Sequence, residues 1–283
     1  MTLDPAALLA RYDEQERSGT HARDGETTER VGGVLRTLYA ADQGFVTAVG
    51  LDETTADAAI REQVEFFAAL DGGRGRRFEW KVYGHDRPAD LGARLEAAGF
   101  EPDDVEALVI GSTDDVLRAT EGTQVPAGAL LREVGDETLD DDARRIADLH
   151  TEVWGEPIPG YAERLVHDKR ADPRGVRLYV VETDDDARRV LSAARLEMRP
   201  GAEPGAAPLS HFAGLWGGAT VADWRGRGIY RSLVRLRAQH AAEAGVPYLQ
   251  VDASPDSRPI LERLGLVQVD WTRPYVWSPP GVD

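Results

Sequence analysis

Residues 217–231 read Gly-Gly-Ala-Thr-Val-Ala-Asp-Trp-Arg-Gly-Arg-Gly-Ile-Tyr-Arg, and they combine the residue types that hold a diphosphate. An apolar stretch at 212–222 reads as a strand, and a helical pattern runs over 228–244. The start of a helix leaves backbone N–H groups unpaired and carries the positive end of the helix dipole. Gly226 and Gly228 let the backbone approach a ligand closely, and Arg225, Arg227 and Arg231 add charge around the same opening. An isolated Arg-Gly-Arg-Gly favours an ordinary strand–turn–helix with solvated arginines; the surrounding sequence shifts the weight.

A second segment follows at 251–266, Val-Asp-Ala-Ser-Pro-Asp-Ser-Arg-Pro-Ile-Leu-Glu-Arg-Leu-Gly-Leu. The ordered pair resembles the GNAT acetyltransferase superfamily, whose acyl-CoA loop has the pattern Arg/Gln-x-x-Gly-x-Gly/Ala. Arg225 and Gly228 match it, while Tyr230 stands at the final small-residue position. In the later segment Gly265 is kept; Ser254 replaces the family's Asn, Leu261 its Tyr and Leu266 its Phe. The resemblance covers about residues 128–283.

The resemblance implies an acetyl-CoA-dependent N-acetyltransferase with no metal. The CoA pyrophosphate is expected against the backbone N–H groups of Arg225, Gly226, Arg227, Gly228, Ile229 and Tyr230, and the pantetheine arm along the strand edge ending at Thr220 and Val221. Gly217 and Gly218 weaken that strand and mark a bulge or a close ligand approach. Ser254 is counted with the cofactor residues, although its simplest role is to cap the helix beginning near Asp256.

Acyl transfer to an amine needs a neutral amine, a polarised carbonyl and a proton for the leaving thiolate. The family's Tyr acid is Leu261 here, so the usual proton donor is missing. For the base, Glu197 near a strand end and Asp252 at a strand terminus are the candidates; Asp223 adjoins the loop, and His211 precedes the cofactor strand. Each also reads as an ordinary surface group. Substrate walls are expected from Trp154 and Tyr161, which flank a proline-stiffened loop, together with Trp216 and Tyr275.

These residues need a scaffold. A polar Gly/Pro stretch at 121–128 divides the chain into 1–122 and 128–283. In the first part, helices are expected at 5–17, 55–70 and 88–98, and strands at 34–39, 45–49, 78–83 and 105–110. In the second, strands are expected at 130–134, 177–182, 190–198, 212–222, 248–252, 266–271 and 275–277. Helices are expected there at 139–153, 162–171, 228–244 and 256–264, with a Gly/Pro loop at 200–208. The fold class is α/β of the α+β type: two GNAT-like domains, each a mixed, mostly antiparallel sheet flanked by helices.

The first part repeats the order of the second in outline, and residues 85–100 resemble the family's closing helix with its Gly-Phe ending. Where the cofactor loop would stand, however, Asp52, Glu53 and Asp57 put carboxylates at the helix start. They complement the dipole and repel a pyrophosphate. The first domain is therefore expected not to bind CoA.

Composition narrows the partners. The 283 residues include 33 Lys+Arg and 50 Asp+Glu, a formal charge of −17, which disfavours nucleic acid and anionic membrane and suits small-molecule or peptide amines. The absence of cysteine excludes disulfide frameworks, cysteine metal sites and thiol nucleophiles. No run has the ~20 apolar residues of a membrane span, and the first residues lack the features of a signal peptide. A cytoplasmic monomer or homodimer is expected. The other functional readings are a CoA-binding scaffold without turnover, or aminoacyl transfer from charged tRNA, which the net charge opposes.

Overall fold

The computed structural model describes residues 4–18, 25–39, 43–199, 201 and 207–280. The loop expected at 200–208 lies largely outside the described residues, as does most of the N-terminal pentapeptide. In chain order the elements are α1 (Pro5–Tyr12), continuing into a wider-wound turn at Asp13–Arg17, β1 (Thr27–Val31), β2 (Val34–Leu38), β3 (Gln43–Ala48), α2 (Ala56–Gly73), β4 (Arg77–Tyr83), α3 (Leu91–Ala97), β5 (Glu101–Pro102) and β6 (Glu106–Ser112). They continue with α4 (Thr113–Ala119), β7 (Ala129–Glu133), α5 (Leu139–Trp154), α6 (Tyr161–Ala171), β8 (Val176–Thr183), β9 (Val190–Met198) and β10 (Phe212–Thr220). A 3-10 turn at Ala222–Trp224 leads to α7 (Ile229–Glu243), β11 (Tyr248–Ala253), α8 (Arg258–Arg263) and β12 (Val267–Trp277). Strands β1 and β5 and helix α4 are additions to the sequence expectation, and β12 is one strand rather than two.

The chain forms two compact units, one of residues 1–108, 252–258 and 268–283, the other of residues 109–251 and 259–267. In the first unit, β1, β2 and β3 are successive antiparallel neighbours. Strand β3 then pairs parallel with β4, from Gln43↔Arg77 to Thr47↔Lys81, and β4 pairs antiparallel with β12. Val46, Phe78 and Trp80 point into a core with Ile60 and Phe67 of α2 and Leu91 and Leu95 of α3. Phe67 stacks on Phe78 with ring centres 4.0 Å apart. Period-two alternation puts Glu79, Lys81 and Tyr83 on the opposite face of β4. Helix α1 meets that face: Tyr12 Oη lies 3.3 Å from Tyr83 Oη, and the Arg17 guanidinium sits 3.9 Å over the Tyr83 ring.

In the second unit, β7, β8, β9 and β10 are successive antiparallel neighbours, and β10 pairs parallel with β11. Helices α5, α6 and α7 pack on these strands. Buried Asp142 of α5 accepts from both Arg132 Nη atoms of β7, at 2.7 and 2.8 Å, and from Arg145 at 2.8 Å, which fixes the start of α5 to the sheet. Both units thus end an antiparallel run with strand, helix and parallel strand: β3–α2–β4 in one, β10–α7–β11 in the other. The mixed, mostly antiparallel class is the one the sequence implied.

Candidate active site

The two parallel crossovers differ where it matters. Strand β10 pairs with β11 only from Phe212↔Tyr248 to Gly214↔Gln250, then runs on to Thr220 beside β9. Strand β3, by contrast, ends one residue after its last pair with β4. Against β9, strand β10 also carries a bulge between Trp216 and Ala219. Gly217 sits there with φ 60°, and a Cβ would come within 3.2 Å of Tyr161 Oη. At Gly214 a Cβ would lie 2.2 Å from Trp216 Nε1, so the missing side chain is what lets the indole lie along the strand.

After Thr220 and Val221 the chain turns through Ala222–Trp224 into the arginine–glycine loop. Arg225 Nε donates to Thr220 O at 2.9 Å, tying the loop to the strand end, and the Arg227 guanidinium lies 4.7 Å over the Trp224 ring. Gly226 and Gly228 have φ of 73° and 90°. No atom lies within 4 Å of a Cβ built at Gly226, and Gln124 O is 3.8 Å from one at Gly228. Glycine is required here by backbone conformation, and open space remains over the turn. The first bond of α7 is Ser232 N–H to Gly228 O, so the N–H groups of Ile229, Tyr230 and Arg231 lie before the helical ladder begins. Tyr230 packs on the strand: Gly218 has its nearest neighbour in the Tyr230 ring, 3.4 Å from where a Cβ would stand.

Asp223 is neutralised by Arg189, at 3.4 Å, rather than by Arg225 or Arg227. Arg189 also pairs with Glu152 at 2.7 Å. The carboxylate next to the loop therefore has its own cation.

Trp154 and Tyr161 are brought together by a residue that sequence reasoning passed over. His150 of α5 stacks on Tyr161 at 4.9 Å and meets Trp154 at a tilt with ring centres 4.2 Å apart, and its Nε2 donates to Gly217 O at 3.2 Å. Donation to a carbonyl fixes the proton on Nε2, leaving Nδ1 as a buried lone pair without a partner. Burial lowers the His150 pKa to about 4, so the ring is neutral. Its four-residue spacing from Trp154 on one helix was the available signal. Trp216 lies opposite Arg195 in the β9–β10 register.

The acid–base candidates separate. Glu197 pairs with Arg195 at 2.8 Å on β9, and is aligned with Gly214 of β10. Asp252 belongs to the first unit, where Lys81 binds one oxygen and Thr272 Oγ1 donates to the other at 3.0 Å. Both Asp252 oxygens are thus engaged inside the first unit. Leu261 is fully buried. Ser254 Oγ accepts from the Ser257 N–H at 3.3 Å, as a cap ahead of α8. Tyr275 is a correction to the expected substrate wall: it is buried in the core of the first unit, where Gly92 makes room for its hydroxyl.

At the start of α2 the carboxylates stand as expected. Asp52 accepts from the N–H groups of Thr54 and Thr55, both at 2.9 Å, and the Thr54 and Thr55 hydroxyl bonds lead in lowering its pKa to about 2. Asp57 pairs with Arg94 at 2.9 Å, and Arg94 also pairs with Asp90.

No family model and no curated protein matches the sequence. Solved structures do. A GCN5-related N-acetyltransferase from Kribbella flavida superposes with a TM-score of 0.65 at 16% identity, over 100% of this chain and 97% of that one. A counterpart from Sphaerobacter thermophilus gives 0.58 at 15% identity, over 100% and 96%. A tandem GNAT protein from the clavulanic acid biosynthesis pathway gives 0.54 at 16% identity, over 98% and 94%.

Proposed function

From a tandem GNAT fold as the starting point, we propose that this chain is an N-acetyltransferase that moves an acetyl group from acetyl-CoA to a primary amine of a small molecule or peptide. The observation that carries the reading is the combination on one strand of an early divergence from β11 and a glycine–arginine turn into α7. Residues 128–283 are assigned the cofactor. Thr220 and Val221 offer the strand edge, and Arg225 through Tyr230 offer backbone donors and charge for the pyrophosphate. Residues 1–122 are assigned no cofactor, because Asp52 and Asp57 occupy the equivalent helix start. The protein is read as cytoplasmic.

Trp154, Tyr161 and Trp216 are assigned to the acceptor side. Glu197 is the assigned base, reaching the amine directly or through water, with Arg195 holding its carboxylate. Calorimetric titration with acetyl-CoA tests the reading, and no binding at millimolar ligand would sink it. Replacing Arg225 and Arg227 together by Ala should weaken binding, since charge-assisted phosphate bonds contribute about 1.5–3 kcal/mol each.

A scaffold that holds CoA without turnover is the second reading, favoured by the fully buried Leu261 where a proton donor would stand. A thiol-release assay across amino acids, polyamines, aminoglycosides and peptide N-termini separates the two once CoA binding is established.

A further inference from the structure

With Leu261 at the position where the resemblance would put a proton donor, a leaving thiolate finds no acid on α8. Another phenol approaches β10, from the start of α6. Tyr161 Oη lies 3.2 Å from the position a Cβ would take at Gly217, so the glycine of the bulge is what lets the hydroxyl come up against the strand. His150 Cε1 and Arg195 Cβ are 3.6 and 3.9 Å from that same point. All of these residues belong to the second unit.

The hydroxyl is fixed in place but unengaged. The Tyr161 ring stacks on His150 with centres 4.9 Å apart, and the Arg164 guanidinium lies 5.2 Å from the ring centre. Tyr161 is 7% exposed, yet its oxygen has no hydrogen-bond partner among the described residues. Unlike His150 Nδ1, that oxygen is not closed off from solvent. Buried polar groups are ordinarily paired, and this one is free to bond a bound molecule. Burial raises the Tyr161 pKa and outweighs the opposing charges of Arg195 and Arg164, so the phenol keeps its proton at neutral pH. Once the proton is given up, the same two guanidinium groups favour the tyrosinate. Tyr230 meets the other glycine of the bulge differently: its Cε2 is 3.4 Å from a Cβ built at Gly218, and no other atom of the ring or hydroxyl lies within 4 Å.

A pantetheine arm laid along β10 from the turn into α7 passes Thr220 and comes to Gly217 three residues further on, roughly 10 Å at the rise of a strand. We propose that Tyr161 is a catalytic residue, the acid that protonates the leaving sulfur of the acyl donor. The amine nitrogen forms the new bond to the carbonyl carbon, the C–S bond breaks with its electron pair on sulfur, and the Tyr161 O–H proton passes to that sulfur. The proton lost by the amine goes to Glu197, and exchange with water resets both side chains. The inference rests on the acetyltransferase reading and gives Tyr161 a part in the chemistry beyond its place on the acceptor side.

The test compares the parent with Tyr161→Phe, which keeps the ring and its stacking and removes only the unpaired oxygen. Thiol release is followed with the amine panel named above, from acetyl-CoA and from the acetyl thioester of 4-nitrothiophenol, a far more acidic thiol whose anion leaves without a proton. The Phe variant binds acetyl-CoA as the parent does in calorimetry and melts at the same temperature. Its turnover with acetyl-CoA falls about tenfold to hundredfold with KM for the amine unchanged, a modest general-acid effect because a thiolate already leaves well. With the nitrothiophenyl donor its turnover is close to that of the parent. Equal losses with the two donors would make Tyr161 a packing or wall residue and overturn the proposal, as would undiminished turnover with acetyl-CoA. The donor-selective loss appearing in Tyr230→Phe instead would overturn it too, moving the proton source to the other glycine of the bulge. If the parent does not bind acetyl-CoA, the acetyltransferase reading fails and takes the proposal with it. Binding without thiol release in the parent overturns the proposal and leaves the scaffold reading standing.

Discussion

His150 Nε2 donates across 3.2 Å to the carbonyl of Gly217, the residue whose φ of 60° makes the bulge in β10. On the neighbouring strand, Arg237 Nη1 donates to the carbonyl of Arg195, which lies opposite Trp216 at the near edge of the same bulge. A bulge leaves ladder groups unpaired. Here two buried side chains, from α5 and α7, donate to carbonyls in and beside the bulge.

The histidine makes the bulge sensitive to acid. Its pKa is about 4 in the folded chain, lowered by burial, against 6.5 for an ordinary histidine. Between these values the unfolded chain binds more protons, so stability rises with pH across the window and is lost as pH falls from 6.5 towards 4. The loss attributable to this residue is roughly 2–3 kcal/mol at pH 4.5. Urea unfolding at pH 7 and 4.5 should show it in the parent and a shallower decline in His150→Gln. Equal declines in the two proteins would remove the buried neutral ring as the cause.

Gly218 and Tyr230 form a steric pair. A methyl group at Gly218 would sit 3.4 Å from the Tyr230 ring, an ordinary contact, but a branched side chain would strike it. Gly218→Ala is expected to change stability by less than about 1 kcal/mol, and Gly218→Val to cost about 1–3 kcal/mol through overpacking. Tyr230→Ala should recover part of the Val penalty in a double-mutant cycle. An additive cycle would show that the ring does not rest on the glycine.

Lys81 and Asp252 are interdependent. Each is buried, and removing one partner leaves an uncompensated charge, so Lys81→Met and Asp252→Asn should each destabilise by about 3–5 kcal/mol. Lys81→Met combined with Asp252→Leu should cost much less than the sum. Denaturant midpoints check this. If Asp252→Asn left stability untouched and abolished only turnover, Asp252 would return as a catalytic base.

What could be read beforehand follows the range of the interactions. The turn at Gly226 and Gly228 was legible because positive φ and local charge are written in consecutive residues. The strand at Thr27–Val31 was not: Thr-Thr-Glu-Arg-Val is a polar edge segment paired only with β2, with no alternation to betray it. The gap expected between strands at 266–271 and 275–277 is absent: β12 runs on through Pro274, whose carbonyl accepts from Asp103 N–H at 2.9 Å. Tyr275 looked like a pocket wall because its core partners, Trp80 and Gly92, are far away in sequence. For the same reason the Lys81–Asp252 pair had no signature, and neither did the bond from His150 to Gly217.

The two helix starts make opposite predictions for CoA. At α7, two glycines in left-handed conformation precede unpaired N–H groups, with Arg225 and Arg227 alongside. At α2, Asp52 already accepts the first N–H groups, and Asp57 is paired with Arg94. One CoA should therefore bind per chain, and Asp52→Ala should leave its affinity within about twofold, because bare carboxylate removal supplies neither glycine turn nor cation. Gly228→Val should weaken it at least tenfold: at φ 90° a β-branched residue must change the backbone conformation that aims the N–H groups. The Cβ itself has room, with its nearest neighbour 3.8 Å away, so the folded core should survive the change. Calorimetric stoichiometry and affinity for the parent and both variants give the measurement. Two CoA molecules per chain, or undiminished affinity in Gly228→Val, would move the cofactor away from the turn into α7.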